Sequence, residues 1–292
     1  MKSLLNISDL SQNDINHIFD LSLELESKKS KPLENKNIGM LFEKYSTRTR
    51  LSFHTAITSL GGDAVKLDFN EMNIQRIESF EDTFEILSCY LDMIVYRTNN
   101  HHKLEIAQKY FQKPIINALS DISHPCQAIS DIYTLKVHFG NIDNISILWF
   151  GDLNNVLFSL CELTNLLGNI NIDIFTDRKI YNDNKKRFNF NNLKFNFEID
   201  EKILSHANCI MTDVYTSMND SDDSKENLLK KFQVNSEVMS LTRKDAVFMH
   251  CLPAHIGSEV TKDVIKGSKS ITLIQAYNRM VAQKCILQWL NL

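Results

Sequence analysis

A chain of 292 residues with 43% hydrophobic residues is long enough to bury two modest α/β cores, and a formal net charge of -4 leaves no basic stripe for nucleic acid. No apolar run approaches the roughly 20 residues that a membrane span needs, and the N-terminal stretch reads as a capped amphipathic helix with no export signal. The six cysteines are scattered without a CxxC pair, which argues against a zinc site and a disulfide framework and fits a reducing cytoplasm.

Taken in chain order, apolar periodicity predicts strand 38–42, helix 46–60, strand 64–68, helix 79–91, strand 93–97, helix 102–111, strand 114–118 and a helix from Pro125 to about Phe139. A second series follows: strand 145–150, helix 155–167, strands 171–176 and 194–199, helix 201–206 and strand 209–214. Helices 224–232 and 235–241, strand 246–251 and a final helix near 276–290 complete it. Asn182 to Asn192 reads as a loop. The alternation implies an α/β fold of two domains, each a mostly parallel sheet flanked by helices, divided at the Gly140–Asn144 turn. The domains are then 1–140 and 141–275, with the C-terminal helix of 276–292 packing back on the first.

Parallel sheets collect ligands at the carboxyl ends of their strands, so the residues just beyond each predicted strand come first. They are Ser46, Thr47, Arg48 and Thr49; Arg97; His-Pro-Cys-Gln at 124–127; Gly-Asp-Leu-Asn-Asn at 151–155; Asp-Val-Tyr-Thr-Ser-Met at 213–218; and His-Cys-Leu-Pro at 250–253, with Asn278 and Arg279 near the last helix. Each has a plain structural reading: Ser46, Asp213 or Asn154 as a helix cap, His124 as a turn residue, Cys126 and Cys251 as small buried hydrophobes. Their common placement argues for a shared purpose. Two arginines in the first turn of helix 46–60 oppose the helix dipole, an arrangement that makes sense if an anion docks there. Gly151 lacks the further glycines of GxGxxG, and no GxxxxGK[ST] run exists, so the expected phosphate site is of a hydroxyl-and-arginine type.

The ordered set Ser-Thr-Arg-Thr-Arg, His-Pro-Cys-Gln, Gly-Asp-x-Asn-Asn, Asp-x-Tyr-x-Ser-Met, His-Cys-Leu-Pro and Asn-Arg-x3-Gln resembles the aspartate/ornithine carbamoyltransferase family, and within it the ornithine-accepting branch. The resemblance spans nearly the whole chain. It implies a carbamoyl-phosphate domain, an ornithine domain, an active site between them, a homotrimer, and conversion of carbamoyl phosphate and L-ornithine to L-citrulline and phosphate without metal or organic cofactor. Carried over by position, Ser46, Thr47, Arg48 and Thr49 hold the phosphate, and Arg97, His124 and Thr49 meet the carbonyl oxygen. Gln127, Arg279 and the backbone near Cys251 and Leu252 hold the carbamoyl amide. Asn155, Ser217 and Met218 take the amino-acid end of ornithine, Asp213 is an amino-group partner, and Cys251 with Asp213 serves the attacking amine. Asn73 is a cross-subunit contact. An acid, a thiol and hydroxyls in the second domain suit an amine-bearing acceptor better than aspartate, whose extra carboxylate calls for cations. The alternatives are a non-catalytic homologue, or an enzyme for another acceptor such as putrescine or N-acetylornithine. Ile77, Asn219, Ile256 and Tyr277 depart from the family pattern.

Overall fold

Two compact units, Met1–Tyr133 with Asn278–Leu292 and Thr134–Tyr277, make up the computed structural model, which describes residues 2–27, 30–69, 72, 77–216 and 223–292. The first opens with a 3-10 turn, Ile7–Asp9, and α1 (Gln12–Ser27). A reciprocal cap starts α1: Asp14 N–H donates to Ser11 Oγ at 3.2 Å while Asp14 Oδ2 accepts from Ser11 N–H at 3.0 Å. Trp289 Nε1 donates to the same carboxylate at 3.2 Å, tying the C-terminal segment to α1.

The rest of this unit is β1 (Asn37–Phe42), α2 (Thr47–Ser59), β2 (Asp63–Leu67), α3 (Phe80–Tyr90), β3 (Met93–Arg97), α4 (His101–Tyr110), β4 (Ile115–Leu119) and the start of α5 (Pro125–Phe139). The strands pair in parallel in the order β2-β1-β3-β4. Ile38, Met40, Leu41 and Phe42 of β1 and Met93 to Tyr96 of β3 are all buried, the continuous apolar run expected of strands covered on both faces. Helix α2 buries Thr49, Phe53, Ala56 and Ile57, a stripe at helical spacing, and gives way at Gly61, whose φ of 86° suits a residue without Cβ.

The second unit comprises β5 (Ser146–Phe150), α6 (Asn155–Leu167), β6 (Asn171–Phe175), α7 (Arg178–Asn184), β7 (Leu193–Asn196), α8 (Glu201–Leu204), β8 (Cys209–Thr212), α9 (Asp223–Leu229), α10 (Ser236–Ser240), β9 (Val247–His250) and α11 (Lys262–Ile265). Helix α12 (Thr272–Leu290) starts here and ends the chain. Its sheet is also parallel, in the order β7-β6-β5-β8-β9. Phe150 and Phe175 stack at 4.6 Å in its core, and Trp149 Nε1 donates to Asp152 O at 2.9 Å.

Most predicted elements are present within one or two residues. Helix α7 was not expected, because its Asn- and Lys-rich sequence hides one buried anchor, Ile180, and a cap in which Asp177 accepts from Lys179 N–H at 2.8 Å. The stretch read as a loop therefore begins inside a helix. Helix α11 was also unread, 224–232 closes as a 3-10 turn over Lys230–Phe232, and α12 starts four residues before the predicted 276.

In both sheets the first strand of the unit has neighbours reached in opposite chain directions: β2 and β3 flank β1, and β6 and β8 flank β5. That reversal opens a crevice at the carboxyl ends of β1 and β3 in one unit and of β5 and β8 in the other.

Candidate active site

At the first reversal, Ser46 is the N-cap of α2, yet its side chain caps nothing within the helix. Its Oγ instead accepts from Arg97 Nη1 at 3.1 Å, which leaves the first-turn N–H groups of α2 to a ligand. Thr47 and Arg48 are exposed and Thr49 is buried. Arg50 lies with its guanidinium 5.4 Å from the Phe42 ring, packed against the end of β1. Thr49 Oγ1 accepts from two guanidiniums, Arg97 Nη1 at 3.4 Å and Arg279 Nη2 at 2.8 Å, the latter from 230 residues away in sequence. Two like charges at one oxygen repel, and an anion placed between them reverses the sign of that interaction.

His124 is buried in the same unit. Loss of hydration first, then the Arg279 and Arg97 charges, hold its pKa well below the usual imidazole value. It is therefore a neutral hydrogen-bonding group. The turn that carries it is fixed by polar contacts: Ser123 N–H donates to Ser120 Oγ at 3.1 Å, Asn117 Nδ2 donates to Ser123 O at 3.2 Å, and His101 Nδ1 lies 2.7 Å from Ser120 Oγ. Pro125 then occupies the first position of α5, where no N–H is needed. Gln127, one turn on, is buried and donates through Nε2 to Asp131 Oδ1 at 2.8 Å. Cys126 donates to Asn117 O at 3.5 Å, and burial pushes its thiol up to about 12, as for a small core residue.

Three supporting residues were not singled out from the sequence. Glu43, just after β1, accepts from Tyr96 Oη at 2.6 Å, Thr98 Oγ1 at 3.0 Å and Lys103 Nζ at 3.0 Å, while its own N–H donates to Arg97 O at 3.0 Å. It thereby locks the strand end that presents Arg97. Asp131 and Ser120 do the same for Gln127 and the His124 turn. An acid directly after a buried strand was the available signal for Glu43; nothing marks the other two.

The second reversal has the opposite character. Gly151 has a φ of 127°, and a Cβ there would come 2.9 Å from Tyr215 Cε1, so the turn admits only glycine without rearrangement. Asn154 caps α6, accepting from Val156 and Leu157 N–H at 3.0 Å, and its Nδ2 donates to Asp213 Oδ2 at 2.9 Å. The other carboxylate oxygen, Oδ1, accepts from the Cys251 thiol at 3.0 Å. Asn155 is the first residue of α6, half-buried. Leu252 follows with a φ of 58°, its N–H donated to His250 Nδ1 at 2.9 Å. An accepting Nδ1 places the ring proton of a neutral His250 on Nε2, which faces Glu259 Oε1 at 3.1 Å in full burial. The backbone at Cys251 and Leu252 is thus held by a buried pair beneath it.

Donor atoms of Asp213, His250 and Cys251 all lie within 4.8 Å of one another, a grouping that could hold a metal ion. Cysteine spacing does not reveal it, because the donors come from two different strand ends. Both ring nitrogens of His250 already have the hydrogen-bonding partners described above. Asn73, Ser217, Met218 and the variant residue Asn219 lie outside the described residues. Ile77, Ile256 and Tyr277 are exposed. The structure thus groups Ser46, Thr49, Arg97 and Arg279, with His124 within reach of the two arginine charges, and separately groups Asp213 and Cys251 with Asn154.

Residues 2–137 match the carbamoyl-P binding domain of the aspartate/ornithine carbamoyltransferase description, and residues 143–290 match its Asp/Orn binding domain. An ornithine carbamoyltransferase of Nitrobacter winogradskyi is 37% identical, across 99% of this chain and 96% of that protein. One from Methanosphaera stadtmanae is 38% identical across 98% of each. Among solved structures, the ornithine carbamoyltransferase of Thermus thermophilus superposes with a TM-score of 0.88 at 33% identity, covering 99% of both chains. That of Pyrococcus furiosus gives 0.87 at 35% identity, covering 98% of this chain and 96% of the other.

Proposed function

Because the chain belongs to the aspartate/ornithine carbamoyltransferase family, we propose that it transfers the carbamoyl group of carbamoyl phosphate to the δ-amine of L-ornithine, giving L-citrulline and phosphate. The observation that carries the reading is the pair of guanidiniums on Thr49 at the uncapped start of α2, beside a neutral buried histidine. Residues 1–140 with the C-terminal helix of 276–292 form the carbamoyl-phosphate domain, and residues 141–275 form the ornithine domain.

Ser46, Thr47, Arg48 and Thr49 hold the phosphate on the N–H groups of α2. Arg97, Thr49 and His124 donate to the carbonyl oxygen, where negative charge grows as the amine adds to carbon. Gln127, Arg279 and the backbone at Cys251 and Leu252 fix the carbamoyl amide, the arginine by donating to its oxygen. The amine lone pair forms the new C–N bond, the carbon–oxygen bond to phosphate breaks, and phosphate departs with that electron pair. The amine must attack as the free base, and the Asp213–Cys251 pair is the group that favours it and takes its proton. Asn155, Ser217 and Met218 hold the amino-acid end of ornithine. With the donor already activated, orientation and charge stabilisation supply most of the acceleration.

The same reading makes the protein a cytoplasmic homotrimer, with Asn73 reaching a neighbouring subunit. Six free cysteines fit a reducing compartment, and among the described residues no helix is long and apolar enough to cross a membrane. The test is citrulline formation from carbamoyl phosphate with L-ornithine, putrescine, N-acetylornithine and aspartate in parallel. Product with ornithine alone is expected. Product only with another acceptor overturns the acceptor assignment, and no product from a folded protein that binds carbamoyl phosphate makes it a non-catalytic homologue. Sedimentation of the purified protein tests the trimer.

A further inference from the structure

Asp131 has no part in the reaction as written, yet it is a fully buried carboxylate one helical turn beyond Gln127, with Gln127 Nε2 at 2.8 Å from its Oδ1. Gln127 Nε2 is the donor and Asp131 Oδ1 the acceptor in this contact, which sets the glutamine amide with its nitrogen toward Asp131 and its oxygen away. The freed Oε1 is buried and has no hydrogen-bond partner among the described residues. A buried acceptor in that state gains from a ligand that brings an N–H and gains nothing from one that brings a methyl group.

Resting on the carbamoyl-phosphate reading, we propose that Asp131 is a positioning residue that fixes Gln127 with its oxygen toward the ligand, so that the site selects acyl phosphates bearing an NH2 group over those bearing an alkyl group. Discrimination of this kind is strong because the rejected analogue leaves the protein's own acceptor unsatisfied. The neighbouring guanidiniums cannot supply it. They recognise phosphate and carbonyl oxygens, which carbamoyl phosphate and acetyl phosphate share.

The experiment uses the full-length protein and three ligands: carbamoyl phosphate as substrate, and acetyl phosphate and inorganic phosphate as competitive inhibitors. In Asp131→Asn the neighbour can donate as well as accept, and the Gln127 amide is free to invert. The KM for carbamoyl phosphate is expected to rise about tenfold or more. The inhibition constant of inorganic phosphate stays within about twofold, and the preference over acetyl phosphate shrinks by the same factor as the KM rises. In a Gln127→Ala background the Asp131→Asn change has no further effect, because its messenger is gone. Asp131→Glu keeps a carboxyl but displaces its oxygens from Gln127 by one methylene, and carries the same comparison should the Asn variant not fold. A parallel rise in the phosphate inhibition constant, or a loss that persists undiminished beside Gln127→Ala, overturns the inference and leaves Asp131 a structural residue. A wild-type protein that neither uses nor binds carbamoyl phosphate overturns instead the reading beneath it.

Discussion

The two strand-end clusters share a topology and differ in sign. Each sits where the strand order of a parallel sheet reverses, one at β1 and β3, the other at β5 and β8. The first gathers cations: Arg97 and Arg279 meet on one threonine hydroxyl, and their charges help keep His124 neutral. The second centres on an acid, with one oxygen of Asp213 on an amide and the other on a thiol. Topology sets where a ligand can sit, and the side chains at that place set which charge it carries. The first cluster suits an anionic ligand and the second an amine-bearing one.

Removing a cation from the first cluster is the most damaging way to break this contrast. Arg97→Ala is expected to lower kcat/KM by about 10³-fold, since a donor aimed at the developing charge is lost. Steady-state kinetics at saturating ornithine measure it, and a loss below about tenfold would remove Arg97 from the carbonyl. His124→Ala sharpens the picture by separating chemistry from anion binding. Turnover should fall between about 10² and 10³-fold while the inhibition constant of inorganic phosphate barely moves, because a neutral imidazole contributes little to holding phosphate. Equal losses in both would place His124 with the phosphate ligands.

In the second cluster, Cys251→Ser keeps a hydroxyl near Asp213 in place of the thiol and removes sulfur as a group that can give up a proton there. A fall of about 10²-fold in kcat, with a changed pH profile, is expected. An unchanged rate and profile would end the thiol's proposed role.

The smallest effect concerns stability. The pKa of His124 is lowered in the folded protein, so the full contribution is present above the unfolded value near 6.5. Below it, the unfolded chain takes up a proton that the folded protein refuses, and stability falls by up to about 1.4 kcal/mol per pH unit. Buried His101 is shifted in the same direction, mainly by loss of hydration. Urea midpoints at about pH 5 and pH 7.5 should therefore differ less for His124→Gln than for the wild type. An identical difference would mean that His124 is protonated in the native state.

Much of this was legible in the sequence, for physical reasons that apply residue by residue. The run from Ile38 to Phe42 reads as a buried strand because both of its faces are covered. The arginines at 48 and 50 stand out because they oppose a helix dipole. What local patterning does not carry is the long-range pairing: nothing near Thr49 announces that Arg279 will share its hydroxyl, and Cys251 was set beside Asp213 only through the family resemblance. Asp131 is hidden for another reason. In a helix that also carries Gln127, Lys136 and His138, one more polar side chain looks like part of a solvated edge until burial is known. Helix α7 escaped because Asn and Lys outnumber its one buried residue, Ile180, and propensity weighed against it.

The two tryptophans of the chain fall one to each unit, Trp149 with its indole proton on the Asp152 carbonyl and Trp289 with its own on the Asp14 carboxylate. The molecule therefore carries two native fluorophores with distinct quenching surroundings, one polled by each sheet. Replacing either with Phe would let the emission of the other report the denaturation of its own half, so a transition in two steps could be assigned to its halves by light alone, without a label or a cut in the chain.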